Sequence, residues 1–279
     1  MLGLNQDWRR WLDDAALPRG GADLLPLLGQ RLAALDPSSR SARISGAMLV
    51  EERRVGAIAT ILDQAMTRLR EGGIARSLVA DGPISERLCP ALRLRHSGRL
   101  ALLMPPGAGG RAAGLLEEGG FAMRSKPGPH RQIIVLRHAS GLPIELWDGS
   151  LAPPFTAIDH ARLALAASED GALAGADRLA VMLAGAMRMG AATDLRWIAD
   201  VHLLIAGGGI DEAAWHRRMK AGTTAYLLAD ALAVAVEAAP TPRAAALATD
   251  LAAPALRDRL RHARALRGGR AVLRAFLGS

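Results

Sequence analysis

The chain has 279 residues, of which half are hydrophobic and 22% are charged, and its formal net charge is +8. This composition is typical of a globular protein and argues against disorder. The single cysteine, Cys89, argues against a disulfide framework and a cysteine-rich zinc site, and it fits a reducing compartment. Charges interrupt the opening sequence MLGLNQDWRRWLDD, and the apolar runs are too short to cross a bilayer. We therefore expect a cytoplasmic protein with no membrane partner.

The pattern of residues divides the chain into three segments. Residues 1–72 are predicted to be helical, residues 73–150 to form an α/β core, and residues 151–279 to form a C-terminal helical domain. The middle segment has the largest surplus of basic over acidic side chains. Such a surplus indicates either an anionic ligand or a solvated surface.

In the first segment, the leucines between positions 24 and 32 form an apolar stripe with helical spacing. A longer helix is predicted from about Ile44 to Glu71, because its apolar residues recur on one face. Gly72 and Gly73 are expected to end this helix.

The middle segment begins with a strand-turn-helix-strand unit that runs from Ile74 to Pro106. A second helix, from Ala108 to Gly119, ends in the sequence LLEEGGF. Two further strand-like runs follow, joined by a hairpin turn over residues 138–141. The four predicted strands lie near residues 74–80, 99–104, 132–137 and 142–147.

The third segment contains the sequence LRWIADVHLLIAGGGID at residues 195–211. Arg196 and Asp200 lie four apart on the predicted helix and can pair on one face. The three glycines at 207–209 are expected to stop the helix, and Asp211 to cap the next one. Later helices are predicted near 211–221, 224–238 and 256–277, with prolines at 240, 242 and 254 as separators.

These features together resemble the nucleotidyltransferase-like family of the polymerase-beta superfold. The resemblance lies in the strand-turn-helix-strand unit, the LLEEGGF turn and the LRWIADV helix, which follow the family's order and spacing. It implies an α+β fold, with a small mixed sheet flanked by N-terminal helices and a C-terminal helical bundle.

The sequence departs from the family pattern at the catalytic positions. Asp81-Gly82 stands where the family has Lys-Gly, and Arg99-Leu100-Ala101 stands where it has two metal-binding aspartates as Asp-x-Asp. Residues two apart on a strand share a face, so Arg99 and Ala101 would occupy the positions of the two carboxylates. Neither a guanidinium nor a methyl group ligates a cation. We therefore expect no metal site and no metal-dependent transfer.

Glu145, in the sequence PIELW, corresponds to a third acidic position of the family. A carboxylate within an apolar strand is costly to bury without a partner. Two interpretations are open: Glu145 is a remaining metal-binding or catalytic residue, or it forms an ion pair with Arg99 on a neighbouring strand.

The basic loop at residues 93–99 is predicted to bind an anion, such as the phosphates of ATP or of another nucleoside triphosphate. Its charges would stand where the family holds a metal ion, beside a turn whose helix N-terminus presents backbone amides. The alternative is that these arginines are neutralised or solvated. The candidate ligand-binding residues are Gly82, Ser85, Arg93, Arg95, Ser97 and Arg99.

Three hypotheses on function follow from these patterns. The first is a non-catalytic relative of the nucleotidyltransferases that binds a ligand, a protein or a peptide. The second is an active nucleotidyltransferase with an altered site, which would use Mg²⁺ and act on a small molecule, a peptide or a protein. The third is a basic helical protein that binds nucleic acid through residues 256–277, although few aromatic side chains are present for base stacking.

Overall fold

The computed structural model describes residues 22–35, 41–80, 100–125, 133–149, 171, 173–188, 195–221, 225–238 and 240–248. These residues form helices and one mixed sheet, so the predicted α+β class is confirmed. The helices are α1 (Leu25–Leu35), preceded by a 3-10 turn (Ala22–Leu24), α2 (Ala42–Glu71), α3 (Gly109–Glu118), α4 (Gly175–Arg188), α5 (Leu195–Ala206), α6 (Glu212–Ala221), α7 (Ala225–Ala238) and α8 (Pro242–Ala248). The strands are β1 (Ser77–Ala80), β2 (Leu100–Met104), β3 (Phe121–Ser125), β4 (Ile133–His138) and β5 (Pro143–Asp148).

The long helix α2 follows the prediction closely. Ser41 caps its start, because its hydroxyl accepts a hydrogen bond of 3.2 Å from the backbone N–H of Ile44. Gly72 ends it, and Gly73 turns the chain away with a φ of 66°. Glycine adopts this left-handed conformation without steric cost, which explains the glycine pair at the end of the helix.

The five strands lie in the order β1-β2-β5-β4-β3. Strands β2 and β5 run parallel, and every other neighbouring pair is antiparallel. The predicted adjacency of the 99–104 and 142–147 segments is therefore confirmed, as is the hairpin between β4 and β5. The fifth strand, β3, was absent from the four-strand prediction, because the sequence FAMRS is short and carries an arginine.

The sheet separates two apolar cores. One face, which carries Leu100, Leu102 and Ile144, packs against α2 and α3. The other face, which carries Ala101, Leu103 and Trp147, packs against the C-terminal helices. This division follows from the two-residue period of strands, which sends successive side chains to opposite faces.

The C-terminal helices form a bundle around Trp215, whose side chain is fully buried. Helix α8 begins at Pro242, where the sequence pattern placed only a separator between helices. The Thr241 hydroxyl caps this helix by accepting from the N–H of Ala244 at 3.1 Å. Proline is well suited to a first helical position, because its missing N–H would have no intrahelical partner there. The predicted helix at 256–277 lies outside the described residues.

None of the helices in the described ranges is both long enough and apolar enough to cross a membrane.

Candidate functional site

The candidate site lies where the parallel strands β2 and β5 run side by side. Their register pairs Ala101 with Glu145 and Leu103 with Trp147. Paired residues on neighbouring strands point to the same face, so the Glu145 carboxylate stands next to the Ala101 methyl group on the side facing the bundle. The register therefore places position 101, where an aspartate was predicted to be lost, next to Glu145, the acidic residue predicted to remain.

Ala101 is fully buried in the core between the sheet and the bundle. Leu103 and Trp147, which lie one pair further along the same strands, belong to this core as well. Position 101 therefore serves packing, and it contributes no oxygen to the space around Glu145.

Glu145 is half-buried and accepts a hydrogen bond from Trp147. The indole Nε1 of Trp147 lies 3.0 Å from Oε2 of Glu145. The two residues are two apart on one strand and so share a face, which means that the spacing Glu-x-Trp could have revealed this contact. The bond gives the carboxylate a partner within its own strand.

The predicted ligand-binding residues between Gly82 and Arg99 lie outside the described residues, as does Asp81. The ion pair between Arg99 and Glu145 therefore stays a prediction. The described residues that flank this segment are Ala80, at the end of β1, and Leu100, at the start of β2. Ala80 pairs with Ala101 in the sheet, so the segment starts and ends beside the pair formed by Ala101 and Glu145.

Asp148, at the end of β5, lies against the first residue of α3. A Cβ atom placed on Gly109 would come within 2.8 Å of the Asp148 Cβ and 3.0 Å of its Oδ2. The glycine is therefore needed for this close approach. A carboxylate near a helix N-terminus is stabilised by the helix dipole, so Asp148 supplies the negative charge that this terminus favours.

Helix α5 contributes to the apolar core on the sheet face that carries Glu145. Its residues Trp197 and Val201 belong to the same core as Trp147, and Asp200 is also buried. On this helix, Arg196 forms an ion pair with Asp23, with 2.8 Å between Nη1 and Oδ2. The motif at 195–211 thus combines residues of the core shared with the sheet and a charged contact to Asp23, just before α1.

The end of this motif agrees with its prediction. Helix α5 stops at Ala206, immediately before the three glycines. Asp211 caps α6, because its Oδ1 accepts a hydrogen bond of 2.9 Å from the N–H of Ala214.

Arg76, just before β1, has an altered pKa. Burial lowers the pKa of its guanidinium, and the positive charge of Arg70 lowers it further. Arg76 lies at the opposite end of β1 from Ala80, so its lowered pKa does not concern the site around Glu145.

Within the described ranges, no group of three or more histidine, cysteine, aspartate or glutamate residues is arranged to hold a metal ion. The sequence matches no protein-family model and no curated protein.

Proposed function

We propose that this chain is a nucleotidyltransferase-like protein of the polymerase-beta superfold that binds a nucleotide or other phosphate ligand without metal-dependent transfer. The observation that carries the proposal is the register between β2 and β5, which sets Ala101 beside Glu145. An aspartate at position 101 would form a carboxylate pair with Glu145, suited to bridging a divalent cation. The alanine leaves that pair incomplete.

Burial of position 101 supports the same conclusion. Ala101 packs in the core with Leu103 and Trp147 and supplies no oxygen atom to a cation. One oxygen of Glu145 already accepts the Trp147 indole N–H. Phosphoryl transfer depends on cations that neutralise the developing charge, so the proposal excludes efficient transfer.

The phosphate-binding part of the proposal concerns the loop at 93–99. The segment that contains it begins and ends next to Ala101, at Ala80 and Leu100. Its arginines would supply positive charge at the place where related enzymes hold metal ions. Arginine suits this role because its planar guanidinium donates several hydrogen bonds to phosphate and stays charged at all physiological pH values.

Calorimetric titration with ATP tests this proposal. We expect ATP to bind equally well with and without Mg²⁺, because arginines replace the metal. The double variant Arg95→Ala, Arg99→Ala should weaken binding by about tenfold or more, since each hydrogen bond to a charged group contributes roughly 1.5–3 kcal/mol. A matched control, Arg53→Ala with Arg217→Ala, removes two exposed arginines from α2 and α6 and should leave the affinity unchanged.

Three results would contradict the proposal. Binding that requires Mg²⁺, or that survives the loss of Arg95 and Arg99, would remove its phosphate-binding part. Magnesium-dependent incorporation of labelled nucleotide that Glu145→Gln abolishes would favour an active enzyme. A salt-dependent shift of generic DNA or RNA, with no binding of ATP, would favour the nucleic-acid hypothesis.

A further inference from the structure

Helix α2 belongs to two separate apolar cores. Its C-terminal half packs against the sheet through the buried residues Ile58, Ile61, Leu62, Ala65, Met66 and Leu69. Its N-terminal half packs instead against α1, where Ile44 meets Leu25 and Leu32. A single helix therefore links a small outer hairpin to the main body of the protein.

Gly56 lies at the junction between these halves. A Cβ atom at this position would have no atom within 4 Å, so packing does not require a glycine. Relative to alanine, glycine in a helix interior lowers the equilibrium constant for helix formation about fourfold. The Thr60 hydroxyl also donates a hydrogen bond of 3.2 Å to the Gly56 carbonyl. Such bonds to the preceding turn favour helix bending, so two independent features weaken α2 at the same point.

The outer hairpin touches the bundle through a second, small contact. Asp23 pairs with Arg196 at 2.8 Å, and both side chains are about one-third exposed, at 29% and 30%. Beside this ion pair, Leu27 and Leu203 form a buried contact, with Leu24 partly buried against them. The contact joins the start of α1 to α5 and is smaller than either of the two cores on the faces of the sheet.

We propose that residues 22–35 and 41–55, here called the N-terminal arm, swing about Gly56 and are latched to α5 by the Asp23–Arg196 ion pair. In the closed state the arm covers Leu203, and in the open state it exposes this side chain. Helix α5 packs through Trp197 and Val201 into the core that holds Trp147, so the latch holds a helix that belongs to the same core as the partner of Glu145. This inference goes beyond the proposed function and does not depend on it.

The latch should respond to ionic strength. Exposed ion pairs contribute little free energy and are screened by salt. We expect Arg196→Ala, or high salt, to raise the ratio of open to closed arm by about twofold to fivefold. Gly56→Ala should lower the same ratio about fourfold, because alanine resists the distortion that opening requires.

The experiment measures the distance between two spin labels in the full chain. Labels on Arg31→Cys of α1 and Ala213→Cys of α6 occupy exposed positions, in a Cys89→Ser background. Pulsed electron resonance then gives the populations of short and long distances at low and high salt. Gly46→Ala is the matched control, since a Cβ atom added at Gly46 would also meet no atom within 4 Å, but this glycine lies in the stretch of α2 that packs on α1.

The inference predicts two distance populations whose long component grows with salt and in Arg196→Ala. It also predicts that Gly56→Ala reduces this component while Gly46→Ala leaves it unchanged. A single narrow distance in every variant and at every salt concentration would overturn the inference. Equal effects of the two glycine substitutions would overturn it as well, because the bend would then not be located at Gly56.

Discussion

At the scale of single residues, one backbone contact in the bundle depends on the absence of a side chain at Gly175. This residue begins α4, and a Cβ atom added to it would lie 1.8 Å from the carbonyl oxygen of Gly209. The two chain segments approach this closely because the glycine-rich end of α5 crosses the start of α4. A flexible side chain could move aside for the added Cβ atom, but the Gly209 carbonyl is part of the backbone and cannot.

We therefore expect Gly175→Ala to destabilise the protein by about 1–3 kcal/mol, the usual cost of overpacking. Thermal denaturation followed by circular dichroism measures this loss. Gly114→Ala is the control, because Gly114 lies within α3 and a Cβ there meets no atom within 4 Å. The control should be neutral or slightly stabilising. An equal melting temperature for the two variants would contradict the close approach at Gly175.

At the scale of elements, the sequence predicted long periodic segments better than short ones. The periodicity of α2 and the alternation in the hairpin of β4 and β5 placed these elements correctly. Strand β3 was not among the predicted strands, because five residues that include Arg124 give a weak strand signal. Helix α8 was not predicted, because Pro242 was interpreted as a separator between helices. Proline also occurs at the first position of helices.

The candidate site was predictable only in part. The sequence identified Glu145 as an acid in an apolar strand, and it identified the loss of an aspartate at position 101. The pairing of these two positions depends on the register between distant strands, which tertiary packing fixes and no local pattern reveals. The hydrogen bond between Trp147 and Glu145 could have been predicted from their spacing alone.

A buried hydrogen bond in the bundle ties α6 to α8. The indole Nε1 of Trp215, on α6, donates to the carbonyl of Leu247, on α8, at 2.9 Å. This carbonyl lies in the last described turn of α8, and the hydrogen bond is buried. Trp215 thus pairs its buried indole N–H with an acceptor on α8.

Trp215→Phe should cost about 1–3 kcal/mol, because it removes a buried hydrogen bond. Urea denaturation measures the change in the free energy of unfolding. Trp147→Phe also removes an indole donor, but its acceptor, Glu145, is half-buried and within reach of water, so a smaller loss is expected. Equal losses would show that the bond between α6 and α8 contributes no specific stability.

At the scale of the whole molecule, the sheet separates two apolar cores, and the candidate site lies on the face toward the bundle. Helices α2 and α3 fill one face with apolar residues. The other face, which carries Glu145, packs against the C-terminal helices. The arrangement fits the proposed ancestry, in which the frame of a transferase persists while position 101 has become part of the core.

Titration with Mn²⁺, followed by the electron resonance of the free ion, tests this central claim most directly. The wild-type chain should hold no Mn²⁺ at Glu145, because a single carboxylate gives too few ligands. The variant Arg99→Asp, Ala101→Asp should gain one Mn²⁺ site, and adding Glu145→Gln should weaken that site by about tenfold or more, consistent with the loss of one charged ligand. If the double variant is unstable, Mn²⁺ should still raise its melting temperature, since binding stabilises the folded state. A Mn²⁺ site in the wild-type protein that Glu145→Gln removes would contradict the account.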